Sequence, residues 1–401
     1  MQISHKQDYG SIWVPSTPLR HMLQLDALRA FAVLAVLVSH FCPVTSKVFT
    51  ITRLSDLGGL GVRLLFVQSG FLISGILLRS KRYCEEDGLP VWHAFRQFYI
   101  RRVLRIFPLF YFSLGLAALL NISPVRQTFA WHAGFLTNFY IYFHDWKGAT
   151  NHFWSLAVEE QFYLAWPWVI LLVSRRRLYA TILAIIATGP IFRVLFGFST
   201  GSDATPIFPL SCLDTLGVGA LLALRRDQLT AQQSRQYPFG KAGLLLGIAV
   251  LVAFILLGEL HHQTTRIRMT RYAIFDVGAA LLAGWVVLRA STGFRGPIGK
   301  LLELKPLIYL GTISYGIYVY HNFIPTLMLE NWHLPTIADL LHRPSAWPLD
   351  SLLKGAIAIS VAALSWHFFE RPINNLKRYF KYEGDRSLKK SCPVRIKPST
   401  V

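Results

Sequence analysis

The sequence predicts an all-α polytopic membrane protein with about ten transmembrane helices and both termini in the cytoplasm. The 401-residue chain is 53% hydrophobic and has a mean hydropathy of +0.40. Only 15% of its residues are charged, whereas soluble globular proteins carry about 25%. Apolar stretches of about 20 residues, the length that crosses a bilayer, recur along the chain. This composition excludes a disordered chain, a coiled coil and an ordinary cytosolic enzyme.

Ten apolar segments are the predicted spans, and the shorter ones are accepted because helices inside a bundle tolerate some mismatch. They are, in chain order, residues 25–42, 57–78, 106–120, 152–173, 178–198, 208–224, 241–258, 272–289, 307–329 and 350–370. The first contains Asp26 and Arg29 and has no small-x-small cleavage site. We therefore interpret it as an uncleaved span and not as a signal peptide.

One further apolar stretch, from Phe129 to Phe143, is short, aromatic and broken by His132 and Asn138. The distribution of basic residues decides whether it crosses. Cytoplasmic loops are enriched in Lys and Arg, and ten spans place 29 of the 41 basic residues inside and eight outside. If 129–143 also crossed, the basic run 175–177 would face outward. The stretch is therefore predicted to be a re-entrant or interfacial element on the outer face.

The same topology divides the chain and explains its net charge of +20. It predicts a cytoplasmic N-terminal segment (1–24), a ten-helix membrane domain (25–370) and a basic cytoplasmic tail (371–401). Because loop position accounts for the excess of Lys and Arg, no nucleic-acid partner is predicted. The four cysteines show neither metal-ligand nor CxxC spacing, so no metal site is predicted.

Ionisable residues inside the spans are costly and are therefore functional candidates. Arg29 and His40 are eleven residues apart on the first span. Eleven residues make about three helical turns, so both side chains project from one face, about 16 Å apart along the axis. Several other such groups fall in the outer half of the spans. We expect a polar cavity that opens outward; the alternative is a set of ion pairs that only join helices.

Two adjacent carboxylates, Glu159 and Glu160, lie within the fourth span. Neighbouring residues on a helix point about 100° apart, so different partners are expected for the two. One is predicted to pair with Arg63 or Arg193, and the other to line the cavity.

A basic cluster, Arg101, Arg102 and Arg105, ends the predicted 79–105 loop at the cytoplasmic mouth of the third span. It has two interpretations. The residues anchor the loop inside or contact anionic lipid, or they clamp the phosphates of a cytoplasmic cofactor.

Six short motifs follow one another along the chain. They are Leu25–Ala30 continued to Ser39-His40, which contains Arg-x10-His, then Gly61–Ile73, Arg101–Pro108, Phe153–Tyr163, Ile313–His321 and Phe369–Pro372. In this order they resemble integral membrane acyltransferase family three, the O-acyltransferases that modify bacterial surface glycans. Two positions depart from the family. Arg63 stands where an Asp is frequent and Gln68 where an apolar residue is usual, so no role that needs an acid at 63 is transferred.

The resemblance implies an enzyme that transfers acyl groups other than amino-acyl groups. Family members are expected to take the acyl group from cytoplasmic acyl-CoA, with acetyl-CoA as the default, and to place it on a hydroxyl of a cell-surface or lipid-linked glycan. Acyl-CoA is then a donor substrate, and no permanently bound cofactor is expected. The implied location is the bacterial cytoplasmic (inner) membrane, in a multi-pass arrangement within the lipid bilayer.

The resemblance also implies roles for the catalytic candidates. His40 is the expected base for the acceptor hydroxyl, with a covalent acyl-His40 relay as the less favoured variant. Glu159 would orient or support the site. Arg29 would stabilise the oxyanion or guide the donor. The pantetheine arm would run along the Arg29–His40 face.

The binding candidates fall into two groups. Arg101, Arg102 and Arg105 would hold the CoA phosphates. Trp154, Ser69 and His321 are the candidate substrate contacts, although Ser69 is also explained by tight packing of small residues and His321 by a structural hydrogen bond. Segments 121–151 and 330–349, rich in Trp, His and Asn, are candidate acceptor surfaces; an interfacial aromatic belt gives the same composition.

Two other classes of protein remain possible from the sequence. A secondary transporter also uses intramembrane His, Arg and Glu, but the paired broken-helix repeats frequent in transporters are not evident. A non-catalytic membrane scaffold or sensor predicts that His40→Ala leaves function intact. The sequence leaves open the acceptor and its modified hydroxyl, the acyl chain length and the oligomeric state.

Overall fold

A computed structural model of the protein describes residues 22–42, 56–146, 148–228, 239–258 and 265–380. Within these ranges every regular element is a helix and there is no strand, so the predicted all-α class is confirmed. Most of the predicted N-terminal segment and the tail from residue 381 onward lie outside the described residues.

The sixteen helices named here are mostly long. In chain order they are α1 (Leu23–Phe41), α2 (Leu57–Glu86), α3 (Val91–Leu119), α4 (Val125–Ala133), α5 (Thr137–His144), α6 (Phe153–Leu172), α7 (Arg175–Thr200), α8 (Leu213–Gln228), α9 (Phe239–Gly258), α10 (Thr265–Thr292), α11 (Gly296–Leu302), α12 (Lys305–Thr312), α13 (Ser314–Tyr320), α14 (Ile337–Leu340), α15 (Trp347–Ser365) and α16 (Arg371–Asn375). Short helical turns complete the described chain at Thr205–Ile207, Leu210–Cys212, Phe323–Pro325, Thr326–Asn331, Pro344–Ala346, Trp366–Glu370 and Leu376–Tyr379.

Six helical segments in the described ranges are long and apolar enough to cross a membrane. They are Leu23–Phe41, Leu57–Glu86, Val91–Leu119, Arg175–Thr200, Met269–Thr292 and Trp347–Tyr379. Each predicted span coincides with helical structure, but within the described chain only six of the ten are long and apolar enough by this measure to cross a membrane. The stretch 129–143 forms α4 and α5, of nine and eight residues. At about 1.5 Å per residue neither can cross a core of about 30 Å.

Two predicted boundaries were wrong. Helix α2 ends at Glu86 and α3 begins at Val91, so Arg101, Arg102 and Arg105 lie on a helix and not on a 79–105 loop. Hydropathy detects only the apolar part of α3, and so the polar first turns of this helix were assigned to the preceding loop. The span 307–329 is also broken, into α12, α13 and two short turns. The second of these, Thr326–Asn331, is a π-helical turn directly after Pro325, whose missing N–H interrupts α-helical hydrogen bonding.

Helix α2 lies at the centre of the bundle and packs against α1, α3, α6, α8 and α10. The backbones of α2 and α8 lie in direct contact. A Cβ atom at Gly70 would collide with the carbonyl of Leu216, and one at Gly219 would collide with the carbonyl of Val67. Small residues at helix interfaces allow this close approach in membrane proteins. The tight fit fixes the rotation of α2, which carries Ser69 toward α6.

Gly70→Ala is expected to lower the free energy of unfolding by about 1 to 3 kcal/mol, because an added methyl group overpacks the α2–α8 contact. Thermal unfolding of the purified protein in detergent measures the change. The matched control is Gly75→Ala on the same helix, where an added Cβ meets nothing within 4 Å. Equal melting temperatures for the two variants would contradict this description of the interface.

A buried ion cluster joins α2, α7, α8 and α10. The Arg63 guanidinium donates two hydrogen bonds to Asp276, from Nε at 2.6 Å and Nη2 at 3.2 Å. Arg193 pairs with Asp214 at 2.5 Å and with Asp276 at 3.3 Å. The prediction that one of the two adjacent glutamates pairs with Arg63 or Arg193 was therefore wrong. Both arginines instead pair with aspartates, Asp214 and Asp276, which come from other helices of the bundle.

Asp276→Asn is expected to cost about 3 to 5 kcal/mol of stability, because it leaves buried guanidinium charge uncompensated. The control is Glu85→Gln, which breaks an Arg175–Glu85 pair whose side chains are 49% and 48% exposed. Exposed pairs contribute about 1 kcal/mol or less. Denaturation in detergent measures both variants. If Asp276→Asn were as mild as Glu85→Gln, the cluster would not stabilise the bundle.

Candidate active site

A cavity of about 320 Å³ lies among α1, α2, α3, α6 and α13. It contains charged groups of both signs. Six residues predicted from the sequence line it together: Arg29, Ser69, Arg101, Arg102, Arg105 and Glu159. A second cavity, of about 310 Å³, has no charged residue in its lining. The first cavity is therefore the candidate site. We call the end of the bundle with the start of α1 and the end of α6 the inner end, and the opposite end the outer end.

The inner part of the cavity carries a basic mouth, formed by Arg101, Arg102, Arg105 and Lys377. Arg101 donates to the carbonyl oxygens of Lys377 at 3.2 Å and Phe380 at 2.9 Å. This ties α3 to the turn Leu376–Tyr379. The Nε of Arg102 is buried and has no hydrogen-bond partner among the described residues. Because guanidinium groups bind phosphate in a bidentate manner, the mouth is suited to a phosphorylated ligand.

Carboxylates and hydroxyls line the middle of the cavity. Ser69 Oγ donates to Glu159 Oε1 at 2.6 Å, and the Tyr163 hydroxyl donates to Ser69 Oγ at 3.1 Å. Glu159 and Tyr163 are one turn apart on α6, so they share the face that meets α2. The hydroxyl of Ser69 therefore does more than allow close packing. Glu160 also lines the cavity, so both adjacent glutamates line it, where the sequence predicted that one of them would.

Arg29 lines the same cavity and is partly neutralised. Its Nη1 donates to Asp26 Oδ1 at 2.9 Å, one turn earlier on α1. Three arginines of the mouth and Arg29 thus share the cavity with two glutamates. The excess of positive charge favours an anionic ligand.

The outer part of the cavity ends at Ser155 and Tyr318, whose hydroxyl oxygens lie 2.5 Å apart. The Tyr318 hydroxyl also lies 2.9 Å from the carbonyl oxygen of His152, to which it can donate. These groups close the cavity at this end and connect it to a second group of polar side chains.

That second group is a histidine cluster of His40, His152 and His321 at the outer end. The rings of His40 and His321 have centroids 5.0 Å apart, and those of His152 and His321 are 4.8 Å apart. His321 and His152 are buried, while His40 is exposed. His40 and His321 do not line the cavity, and Tyr318 lies between the cavity and the cluster. The predicted catalytic residues are therefore divided between the cavity and its outer end.

Sequence reasoning missed several residues of the site, namely Ser155, Tyr318, Lys377 and His152. A signal for His152 was present. It directly precedes the Phe153–Tyr163 motif, and the predicted topology places it, like His40 and His321, at the outer end of its span. Tyr318 lies inside another quoted motif, but its contact with Ser155 needs the packing of α13 on α6.

Trp154 does not line the cavity. Its ring contacts Phe66 edge to face at 6.0 Å, and the Arg63 guanidinium lies 5.2 Å from its centroid. This geometry connects Trp154 to the buried ion cluster and offers no support for its predicted substrate contact.

One histidine of the segment 121–151 has a structural environment. His132 lies 2.8 Å from the hydroxyl of Thr137 and 2.8 Å from that of Thr150, through its two ring nitrogens. Burial lowers the pKa of His132 to about 4, so the ring is neutral near pH 7. It joins α4 to α5 and to the chain before α6, and it does not present a free side chain to an acceptor.

Comparisons with known proteins give a consistent result. A family profile described as an acyltransferase domain matches residues 22–378. YrhL of Bacillus subtilis, a candidate peptidoglycan O-acetyltransferase, is 30% identical over 88% of this chain and 55% of its own length. The peptidoglycan O-acetyltransferase OatA of Listeria monocytogenes is 26% identical over 94% and 59%. The O-acetyltransferase OatA of Staphylococcus aureus is 25% identical over 90% and 58%.

The chain thus spans between 55% and 59% of the length of these relatives. No solved structure matches it.

Proposed function

The chain belongs to the family described as an acyltransferase domain, and from this premise we propose that it is a membrane O-acetyltransferase. It takes the acetyl group of acetyl-CoA on the cytoplasmic side and transfers it to a hydroxyl of a cell-surface or lipid-linked glycan. The observation that carries the proposal is the cavity, which has a basic mouth at the inner end and ends at Ser155 and Tyr318, next to the histidine cluster at the outer end. Neither the family nor the relatives support the alternative of a secondary transporter.

The proposed setting is the bacterial inner membrane. The domain crosses it ten times, over residues 25–370, with residues 1–24 and 371–401 in the cytoplasm. Arg101, Arg102 and Arg105 then face the cytoplasm, where acyl-CoA is found, and the histidine cluster faces outward. The net charge and the basic loops support this orientation.

The basic mouth binds the phosphates of the donor, and the middle of the cavity guides its pantetheine arm. Arg101, Arg102 and Arg105 bind the CoA phosphates through charge-assisted hydrogen bonds. Arg29 lies about 16 Å along α1 from His40, which favours donor guidance over oxyanion stabilisation. Ser69 and Glu159 line the path of the pantetheine arm, and the Glu159 carboxylate balances part of the arginine charge.

The chemistry takes place at the outer end. His40 removes the proton from the acceptor hydroxyl, whose oxygen attacks the thioester carbonyl. The C–O bond forms, the C–S bond breaks, and the CoA thiolate takes the proton from the His40 imidazolium. When the donor is bound, the Ser155 hydroxyl turns its proton from Tyr318 to the developing oxyanion, while the Tyr318 hydroxyl continues to donate to the carbonyl oxygen of His152. Transfer is direct, without an acyl-His40 intermediate.

The acceptor proposed for the first test is peptidoglycan, because relatives are named for it. Mass spectrometry compares muropeptides and surface polysaccharides from host cells with and without the protein. The proposal predicts a mass increment of one acetyl group that disappears with the protein, and the modified sugar then identifies the acceptor. Identical glycan masses in both strains would overturn a glycan acceptor.

A further inference from the structure

His321 makes two contacts through its two ring nitrogens. Its Nδ1 lies 2.7 Å from the carbonyl oxygen of Tyr318, and its Nε2 lies 3.3 Å from Nδ1 of His40. The side chain of His321 is fully buried. Both partners therefore restrict which nitrogen of His321 carries a proton.

The proton positions follow from these contacts. A carbonyl oxygen only accepts, so Nδ1 of His321 must carry hydrogen. A doubly protonated ring would place a charge in a buried site next to two other histidines, which is costly. His321 is therefore neutral, and its Nε2 is an acceptor.

The same argument fixes His40. Its Nδ1 faces two acceptors, Nε2 of His321 and the carbonyl oxygen of Val36 at 3.0 Å. Nδ1 of His40 must then carry the hydrogen. In a neutral imidazole the other nitrogen, Nε2, holds the free lone pair.

From this geometry we infer that His321 is a positioning residue that holds His40 as the Nδ1–H tautomer, so that Nε2 is the base for the acceptor hydroxyl. This deepens the proposed function and rests on it. It assigns to His321 a role through His40, in place of the acceptor contact expected from the sequence. A hydrogen bond to the second nitrogen commonly sets which nitrogen of a histidine is available.

His152 supports this arrangement from the other side. Its Nε2 lies 3.2 Å from the carbonyl oxygen of Val319, and its ring packs edge to face on His321. Consecutive carbonyls at the end of α13 are thus hydrogen-bonded to two histidines. These contacts hold the His321 ring in place against His40.

Two substitutions separate positioning from structure. Glutamine places its amide near the position of a histidine Nε2, and so its oxygen can accept from His40. Asparagine places its amide near Nδ1, and so it can donate to Tyr318 but cannot reach His40. His321→Gln therefore keeps the contact with His40, on which the positioning role depends. His321→Asn keeps the contact with the Tyr318 carbonyl oxygen, on which a purely structural role depends.

The experiment measures acetyl transfer from acetyl-CoA to a peptidoglycan oligosaccharide by the full-length protein in detergent. His321→Asn is expected to lower kcat about 10-fold, the effect of one hydrogen bond, with an unchanged KM for acetyl-CoA. His321→Gln is expected to stay within about threefold of the wild type. Melting temperatures identify any loss due to unfolding.

Either of two results would overturn the inference: Asn retaining more activity than Gln while both are folded, or a loss that appears only in KM. The activity of the wild-type protein in the same assay separates a failure of this inference from a failure of the proposed function. If the wild type transfers acetyl groups and the order of the variants is reversed, only the role of His321 fails. If the wild type itself transfers none, the failure lies in the proposed function.

Discussion

His40→Ala is expected to lower the rate of acetyl transfer by about 10² to 10⁴-fold, the usual contribution of a general base. A sugar hydroxyl is a poor nucleophile until its proton is removed, and His40 is the histidine of the cluster that is exposed. His40→Gln should be equally inactive, because an amide does not accept a proton near neutral pH. Release of CoA thiol, measured with membranes that contain equal amounts of each variant, gives the rates.

The control for this experiment is His367→Ala. His367 is also exposed and contacts the Tyr309 hydroxyl at 3.1 Å, away from the cavity. It is expected to keep the wild-type rate. Full acetyl-transfer activity of the His40→Ala variant would contradict the assignment of His40 as the base.

The double substitution Arg102→Ala and Arg105→Ala is expected to raise the KM for acetyl-CoA by about 100-fold or more. Each charge-assisted hydrogen bond to phosphate contributes about 1.5 to 3 kcal/mol, and 1.4 kcal/mol changes binding tenfold. The rate at saturating donor should fall much less, since neither residue lies at the outer end. Initial rates over a range of acetyl-CoA concentrations separate the two parameters.

Arg176→Ala is the matched control, because Arg176 is an exposed arginine at the inner end, at the start of α7. It lies outside the basic mouth and should leave KM unchanged. If the Arg176 variant and the double variant raised KM equally, the effect would be general surface charge. An unchanged KM in the double variant would assign Arg102 and Arg105 to lipid contact or topology.

Much of the fold was predictable because apolar length and positive charge are local signals. The first span was predicted to begin at residue 25, and α1 begins two residues earlier, at Leu23. The joint position of Arg29, Ser69 and Glu159 in one cavity agrees with their selection from spans 1, 2 and 4. Each is a polar residue at a costly position, and such residues tend to face one another.

What the sequence did not provide was the partner of each buried charge. Arg63 pairs with Asp276, which lies 213 positions later, and no local pattern connects them. The contact between Ser155 and Tyr318 likewise depends on how α13 packs on α6. The division between the cavity and the histidine cluster was also missed, because Arg29 and His40 share a helix but lie at opposite ends of it.

The central claim is that the acetyl group enters at the basic mouth and leaves at the histidine cluster, across the membrane. Sealed proteoliposomes test it directly, with radiolabelled acetyl-CoA trapped inside and a soluble peptidoglycan oligosaccharide outside. Neither molecule crosses the bilayer by itself. A mixed orientation of the protein does not affect the result, because only molecules whose basic mouth faces the inside have access to the donor. The account predicts labelled oligosaccharide in the outside solution, absent with His40→Ala. Labelling that occurs only when donor and acceptor are on the same side would contradict it.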